Sequence, residues 1–144
     1  MPIRRSARSD RASALRAIPL FRRCTDAELR RVERIVDKID VAAGEVVTSE
    51  SDVPADSYIV ASGEASVVVR ERSIDRLVIG DFFGELASLC PGRPPAATVT
   101  AITPMRVLIV DRRDLAALVA IPCVAQQLAA AAFARLRADH PRCR

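Results

Sequence analysis

Aromatic side chains are scarce in this 144-residue chain. They make up 3% of it, with four Phe, one Tyr and no Trp. A core must therefore be built from Val, Ile, Leu and Ala. Lysine occurs once, at Lys38, so the formal charge of +4 comes almost wholly from arginine. Those arginines are scattered and lack the interleaved aromatics that stack on bases, so nothing in the charge pattern points to nucleic acid. Histidine also occurs once, at His140, and the cysteines at 24, 90, 123 and 143 show no CxxC spacing. That excludes the usual sequence pattern of a zinc site, and no metal is expected. The spacing supports no disulfide, and free thiols in a reducing cytosol are the expectation. No apolar run approaches the roughly 20 residues of a membrane helix. Met1 to Asp10 is polar and Arg-rich, without the apolar centre of a signal peptide. The expected location is cytoplasmic, with no membrane partner.

What is present is a globular composition, 50% hydrophobic, in a length that suits one domain with a real core. The pattern predicts a flexible arm over 1–11, a domain over 12–138 and a tail over 139–144. A short helical stretch from Arg11 carries Leu15 and Ile18 and ends at Pro19. Thr25-Asp26-Ala27-Glu28 is a capping box, in which hydroxyl and carboxylate satisfy backbone donors at a helix start. The helix that follows is expected to run on past Val36, with Leu29, Val32, Val36 and Ile39 on one apolar face. From Gly44 the period becomes that of strands. These are Val46 to Thr48, Tyr58 to Val60, Ala65 to Val69, Ile74 to Ile79, Val99 to Ile102 and Arg106 to Val110. A loop over Arg70 to Ser73 joins the third and fourth. Many short strands at regular intervals indicate a mainly β, rolled or closed architecture with flanking helices. Asp111 caps a helix through Leu118, and Pro122 opens a last helix to Ala138. Its Ala-rich middle suits either packing on the strands or a seam with a second copy.

One stretch concentrates chemistry, Gly80-Asp81-Phe82-Phe83-Gly84-Glu85-Leu86-Ala87, followed by Ala96-Ala97-Thr98-Val99. Glycines at 80 and 84 permit backbone angles closed to other residues and leave amides uncovered. Bare amides at a helix start suit an anion such as phosphate. A carboxylate beside them suits a pair of sugar hydroxyls instead. Together they indicate a small ligand with both phosphate and ribose.

Phe83-Gly84-Glu85-Leu86-Ala87 with Ala96-Ala97-Thr98-Val99 resembles the phosphate-binding cassette of cyclic nucleotide-binding domains. These occur in bacterial catabolite activators, cyclic-AMP-dependent kinase regulatory subunits and cyclic-nucleotide-gated channels. The resemblance runs from about Leu15 to about Leu136. It takes in Gly44-Glu45, Glu50-Ser51-Asp52 (where the family usually has Glu-Gly-Asp), Tyr58 to Gly63 and Val107 to Asp111. It implies a double-stranded β-helix, or jelly roll barrel, with an N-terminal helical segment and C-terminal helices. It further implies that Glu85 accepts from the ribose 2′-hydroxyl. Backbone amides over Gly84 to Ala87, and that of Ala96, would take phosphate oxygens; Val67 and Leu77 would wall the purine. The pocket would thus be made by Phe83, Gly84, Glu85, Leu86, Ala87, Arg93, Ala96, Ala97, Val67 and Leu77. Ala96, where cyclic-GMP-selective relatives often carry threonine, points to cyclic AMP over cyclic GMP.

The sequence departs from the family at one position. The arginine that pairs the cyclic phosphate is replaced by Pro95, and the nearest arginine, Arg93, stands two positions earlier. Three outcomes stay open. Arg93 reaches the phosphate along another loop path, the ligand binds weakly through Glu85 and the amides, or the pocket no longer binds. No Gly-x-Ser-x-Gly motif, Walker loop or paired Cys/His constellation marks an enzyme. The resemblance implies a regulatory sensor that passes binding to a partner protein or a second copy through its last helix. The alternatives are a degenerate dimerisation or interaction module, and the sensor part of a catabolite-activator-type transcription regulator. Such regulators continue into a helix-turn-helix, whereas this sequence stops at Arg144.

Overall fold

The computed structural model of the chain describes residues 4–5, 15–52, 55–86 and 97–137, with backbone alone for 4–5 and 131–137. Two antiparallel sheets face one another. The first has the order β1 (Arg4–Arg5), β2 (Val36–Val41), β9 (Met105–Val110), β4 (Ser57–Ser62), β7 (Phe82–Gly84). The second has the order β3 (Val46–Thr48), β8 (Thr98–Ala101), β5 (Ala65–Val69), β6 (Arg72–Leu77). With the helices that flank them, the strands form the jelly-roll fold. Among the described residues the two sheets are not hydrogen-bonded into a continuous barrel.

The five-stranded sheet is the middle layer, and alternation along its strands explains why. One face carries Val36, Ile59, Phe82, Leu108 and Val110 into a cluster with the helices. The other carries Ile39, Val41, Val60, Phe83, Met105 and Val107 against Ala65, Val67, Leu77, Val99 and Ala101 of the second sheet. Two clusters of small aliphatics thus replace the aromatic core that the composition withholds.

The helices pack on one side. Pro19–Phe21 forms a 3-10 turn with Leu20 and Phe21 buried. Helix α1 (Asp26–Ile35) opens on the capping box as expected: the Glu28 N–H donates to Thr25 Oγ1, and the Thr25 N–H donates to the Glu28 carboxylate. After β9 the Asp111 carboxylate accepts from the Arg113 N–H. A 3-10 turn (Arg112–Asp114), α2 (Leu115–Val119) and α3 (Pro122–Arg137) follow.

Two expectations fail locally. Helix α1 ends at Ile35, and Val36 and Ile39 belong to β2, where they pair with Val110 and Val107. A β-branched run beside a long partner strand outweighs the helical spacing. The hairpin from β5 to β6 is tighter than a four-residue loop. Val69 pairs with Arg72, and Arg70 and Glu71 both take positive φ, 51° and 65°. This is the backbone of a two-residue turn that matches strand twist. The Glu50 carboxylate accepts from the Arg70 N–H at 2.9 Å and holds the unfavourable conformer.

Candidate functional site

The stretch singled out in the sequence forms an edge strand and the turns on either side of it. Gly80 has φ +91°, and a Cβ there would sit 3.0 Å from the Pro19 ring. The turn is pinned to β4 at both sides: the Gly80 N–H donates to the Val60 carbonyl and the Val60 N–H to that of Asp81. The Asp81 carboxylate also accepts from the Val78 N–H at 2.8 Å. Strand β7 then sends Phe82 toward the helices and Phe83 between the sheets. Phe83 stacks on Tyr58, with ring centroids 4.8 Å apart. Burial, then the nearby Asp56 and Asp52 carboxylates, push the Tyr58 phenol up from its ordinary pKa, so it stays neutral.

Gly84 has φ +81° and lies against β4. A Cβ at this position would fall 2.9 Å from the Tyr58 ring and closer still to the Asp56 carbonyl oxygen. Only glycine permits that approach. It brings the next two amides onto β4 as well. The Glu85 N–H donates to the Asp56 carbonyl at 3.1 Å, and the Leu86 N–H to Ser57 Oγ at 2.9 Å. Here the structure corrects the sequence. The amides of Glu85 and Leu86 were expected to be bare for phosphate, and both are bound to protein acceptors. A buried amide next to a fixed carbonyl or hydroxyl is satisfied there rather than left open. The half-buried Glu85 follows β7 in a short turn whose position these two bonds set. Leu86 is fully buried in the cluster that also holds Leu118, Ile121, Cys123 and Val124 of the C-terminal helices.

The remaining expected residues divide into two groups. Val67 and Leu77 are fully buried between the sheets, in one cluster with Phe83. A ligand meets them only once what covers them shifts. Ala97 packs against the same cluster, and its carbonyl accepts from Thr48 Oγ1 at 3.1 Å. Ala87, Arg93 and Ala96, like Pro95, lie outside the described residues. Sequence reasoning missed Asp56, Ser57 and Tyr58, the β4 residues that hold the cassette. Their signal is the Ser57–Gly84 register, a tertiary fact.

Away from the cassette, Cys24 and Cys123 form a disulfide, with Cα atoms 5.3 Å apart. This corrects the expectation of free thiols for that pair; 99 positions of separation gave no spacing signal. Glu28 is close to both sulfurs, so the three donors gather within 4.8 Å of one another. The sulfurs are bonded to each other, and the carboxylate is taken up by the Thr25 and Cys123 amides. A separate groove of about 270 Å³ lies between α1 and α2, lined by Arg31, Arg34, Ile35, Ala117, Ala120 and Ile121, and shares no residue with the cassette. Among the described residues no helix is long and apolar enough to cross a membrane.

Comparison with known proteins bears on this geometry. The family model described as "Cyclic nucleotide-binding domain" matches residues 38–121. A cAMP-dependent protein kinase regulatory subunit of Mycosarcoma maydis is 34% identical over 88 residues, 58% of this chain and 17% of that protein. A cGMP-dependent protein kinase of Drosophila melanogaster is 35% identical over 86 residues, 58% of this chain and 11% of that one. The structure of the Thermus thermophilus catabolite activator protein superposes with a TM-score of 0.65 at 28% identity, over 84% of this chain and 59% of that one. The chain spans less than a third of the length of the curated relatives it matches.

Proposed function

The chain belongs to the cyclic nucleotide-binding domain family, and from that premise we propose that it is a sensor module that binds cyclic AMP at the Glu85 turn and transmits binding through α3. The observation that carries the proposal is the anchoring of that turn. A carboxylate stands directly after a glycine pressed onto β4, on a backbone fixed by the Asp56 carbonyl and Ser57 Oγ. A carboxylate on a fixed backbone accepts from a ribose hydroxyl without first losing loop freedom. Glu85 and Leu86 spend their amides on β4, so the phosphate would have to be met by other amides of the cassette. The names of relatives divide between cAMP and cGMP; Ala96 favours cAMP.

Transmission follows from Leu86. It lies one residue beyond Glu85 and packs in the cluster that contains the start of α3. A ligand that draws the turn inward repacks that cluster and moves the helix. It can do so only by binding one arrangement more tightly than the other. A partner protein or a second copy reads the helix.

Pro95 supports a second reading, a domain that keeps the fold and serves as a dimerisation or interaction module. Loss of a charge-assisted phosphate contact removes about 1.5–3 kcal/mol, or roughly ten- to a hundredfold in affinity. The likeness to the catabolite activator also fits the sensor part of a transcription regulator.

The test is a cycle of cAMP and 2′-deoxy-cAMP against the wild type and Glu85→Ala. Each single change should weaken binding about ten- to a hundredfold, and both together little more than either alone. Losses that multiply in full would mean that Glu85 does not meet the ribose. No binding of cAMP to the wild type would leave the module reading.

A further inference from the structure

The corner where α1 and α3 begin holds chemistry that ligand binding does not use. Cys24 immediately precedes Thr25, the N-cap of α1, and Cys123 follows Pro122 at the start of α3. Their sulfurs are bonded, and both residues are buried, 6% and 5% exposed. The Cys123 N–H donates to the Glu28 carboxylate at 3.1 Å, the same carboxylate that closes the α1 capping box. Two tethers of different kinds, one covalent and one a hydrogen bond, therefore fix the first turn of α3 to the first turn of α1.

We propose that the Cys24–Cys123 disulfide is a redox latch on α3: oxidised, it holds the start of the helix on the N-terminal segment, and reduced by a dithiol it lets the helix move. The step balances as thiol–disulfide exchange. A dithiol thiolate attacks one sulfur of the pair and expels the other as a thiolate. The second thiol of the dithiol then closes on the mixed disulfide and releases the first sulfur. The dithiol ends as a disulfide, and its two protons pass to Cys24 and Cys123. The reverse exchange, with an oxidised dithiol, resets the latch.

Placement makes this more than a staple. The buried pair belongs to the same cluster as Leu86. A thiolate must approach the bond along its axis, so burial at 5–6% exposure makes attack wait for a local opening of the side chains packed over the pair. That opening exposes the sulfurs while the bond still holds the start of α3, and only exchange frees the helix. This further step rests on the sensor reading in one respect only: what the released helix reports is ligand binding.

The test uses the whole chain, equilibrated with dithiothreitol or with its oxidised form and then trapped with iodoacetamide. Peptide mapping follows Cys24 and Cys123 separately from Cys90 and Cys143. The pair should be protected in the oxidised sample and labelled in the reduced one; labelling of both in the oxidised sample overturns the latch. Hydrogen exchange over 122–137, without ligand, should be at least about tenfold faster in the reduced chain. Equal exchange in the two states overturns the latch even if the bond forms. Cys24→Ser and Cys123→Ser should each exchange like the reduced wild type under both conditions. Cyclic AMP is then added to both states, and its binding is followed by calorimetry. Binding that changes α3 exchange in the reduced chain alone is the expected result; an equal change in both states overturns the latch. No heat in either state, with the trapping and exchange results as expected, removes the ligand reading and leaves the latch standing.

Discussion

Replacing Gly84 by alanine tests the contact on which the site is built. The residue takes φ +81°, and a left-handed conformation costs a residue with a Cβ about 1–2 kcal/mol. The new methyl would also overlap the Asp56 carbonyl, and a backbone atom cannot rotate away as a side chain does. Relief requires β7 to part from β4, which breaks the bonds from the Glu85 and Leu86 amides. At about 1 kcal/mol net for each bond, the total comes to about 3–4 kcal/mol. That is a large part of the ~5–15 kcal/mol that holds a domain together. Gly44 supplies the control. Its φ is nearly the same, +86°, but a Cβ there meets nothing within 4 Å. Gly44→Ala should therefore cost only the conformational part, about 1–2 kcal/mol. Urea denaturation of both variants beside the wild type measures the difference, which should be about 2 kcal/mol. If the two variants are equally stable within about 0.5 kcal/mol, the close approach of Gly84 to β4 is wrong, and with it the position of Glu85.

Other perturbations read neighbouring parts of the structure. Ser57→Ala leaves the Leu86 amide without its acceptor in a buried position, so the urea midpoint should fall by the equivalent of about 1–3 kcal/mol and cAMP affinity should fall with it. Thr25→Ala removes the α1 cap and should cost about 1 kcal/mol in the same assay. The Glu28 carboxyl is held below its ordinary pKa of 4.5, first by the Thr25 amide and then by that of Cys123. Its contribution is therefore complete above about 4.5 and is lost as pH falls through the lowered value. Urea midpoints measured from about pH 6 down to about pH 3 should drop less steeply for Glu28→Gln than for the wild type.

Much of this was readable because local signals agreed with the fold. Thr25 and Glu28 form both bonds of the capping box. Gly44, Gly63, Gly80 and Gly84 all take positive φ, at the turns and strand ends the sequence suggested. Pro122 opens the last helix. The failures share a cause, which is that tertiary pairing carries no local mark. Val36 and Ile39 fall at helical spacing by coincidence, and only β9 beside them makes a strand. The Glu85 and Leu86 amides looked bare because nothing in the stretch announces that Asp56 and Ser57 of β4 lie opposite. Cys24 and Cys123 meet because the segment before α1 and the start of α3 fold onto one corner. The sequence thus marked Gly80 and Gly84 as turn positions but not the strand that Gly84 lies against.

Calorimetric titration of cyclic AMP into the wild type and into Pro95→Arg bears most directly on the receptor reading. The account predicts saturable one-site heat from the wild type, and binding about ten- to a hundredfold tighter when an arginine is restored beside the phosphate. Heat from neither protein, with both folded, would contradict it.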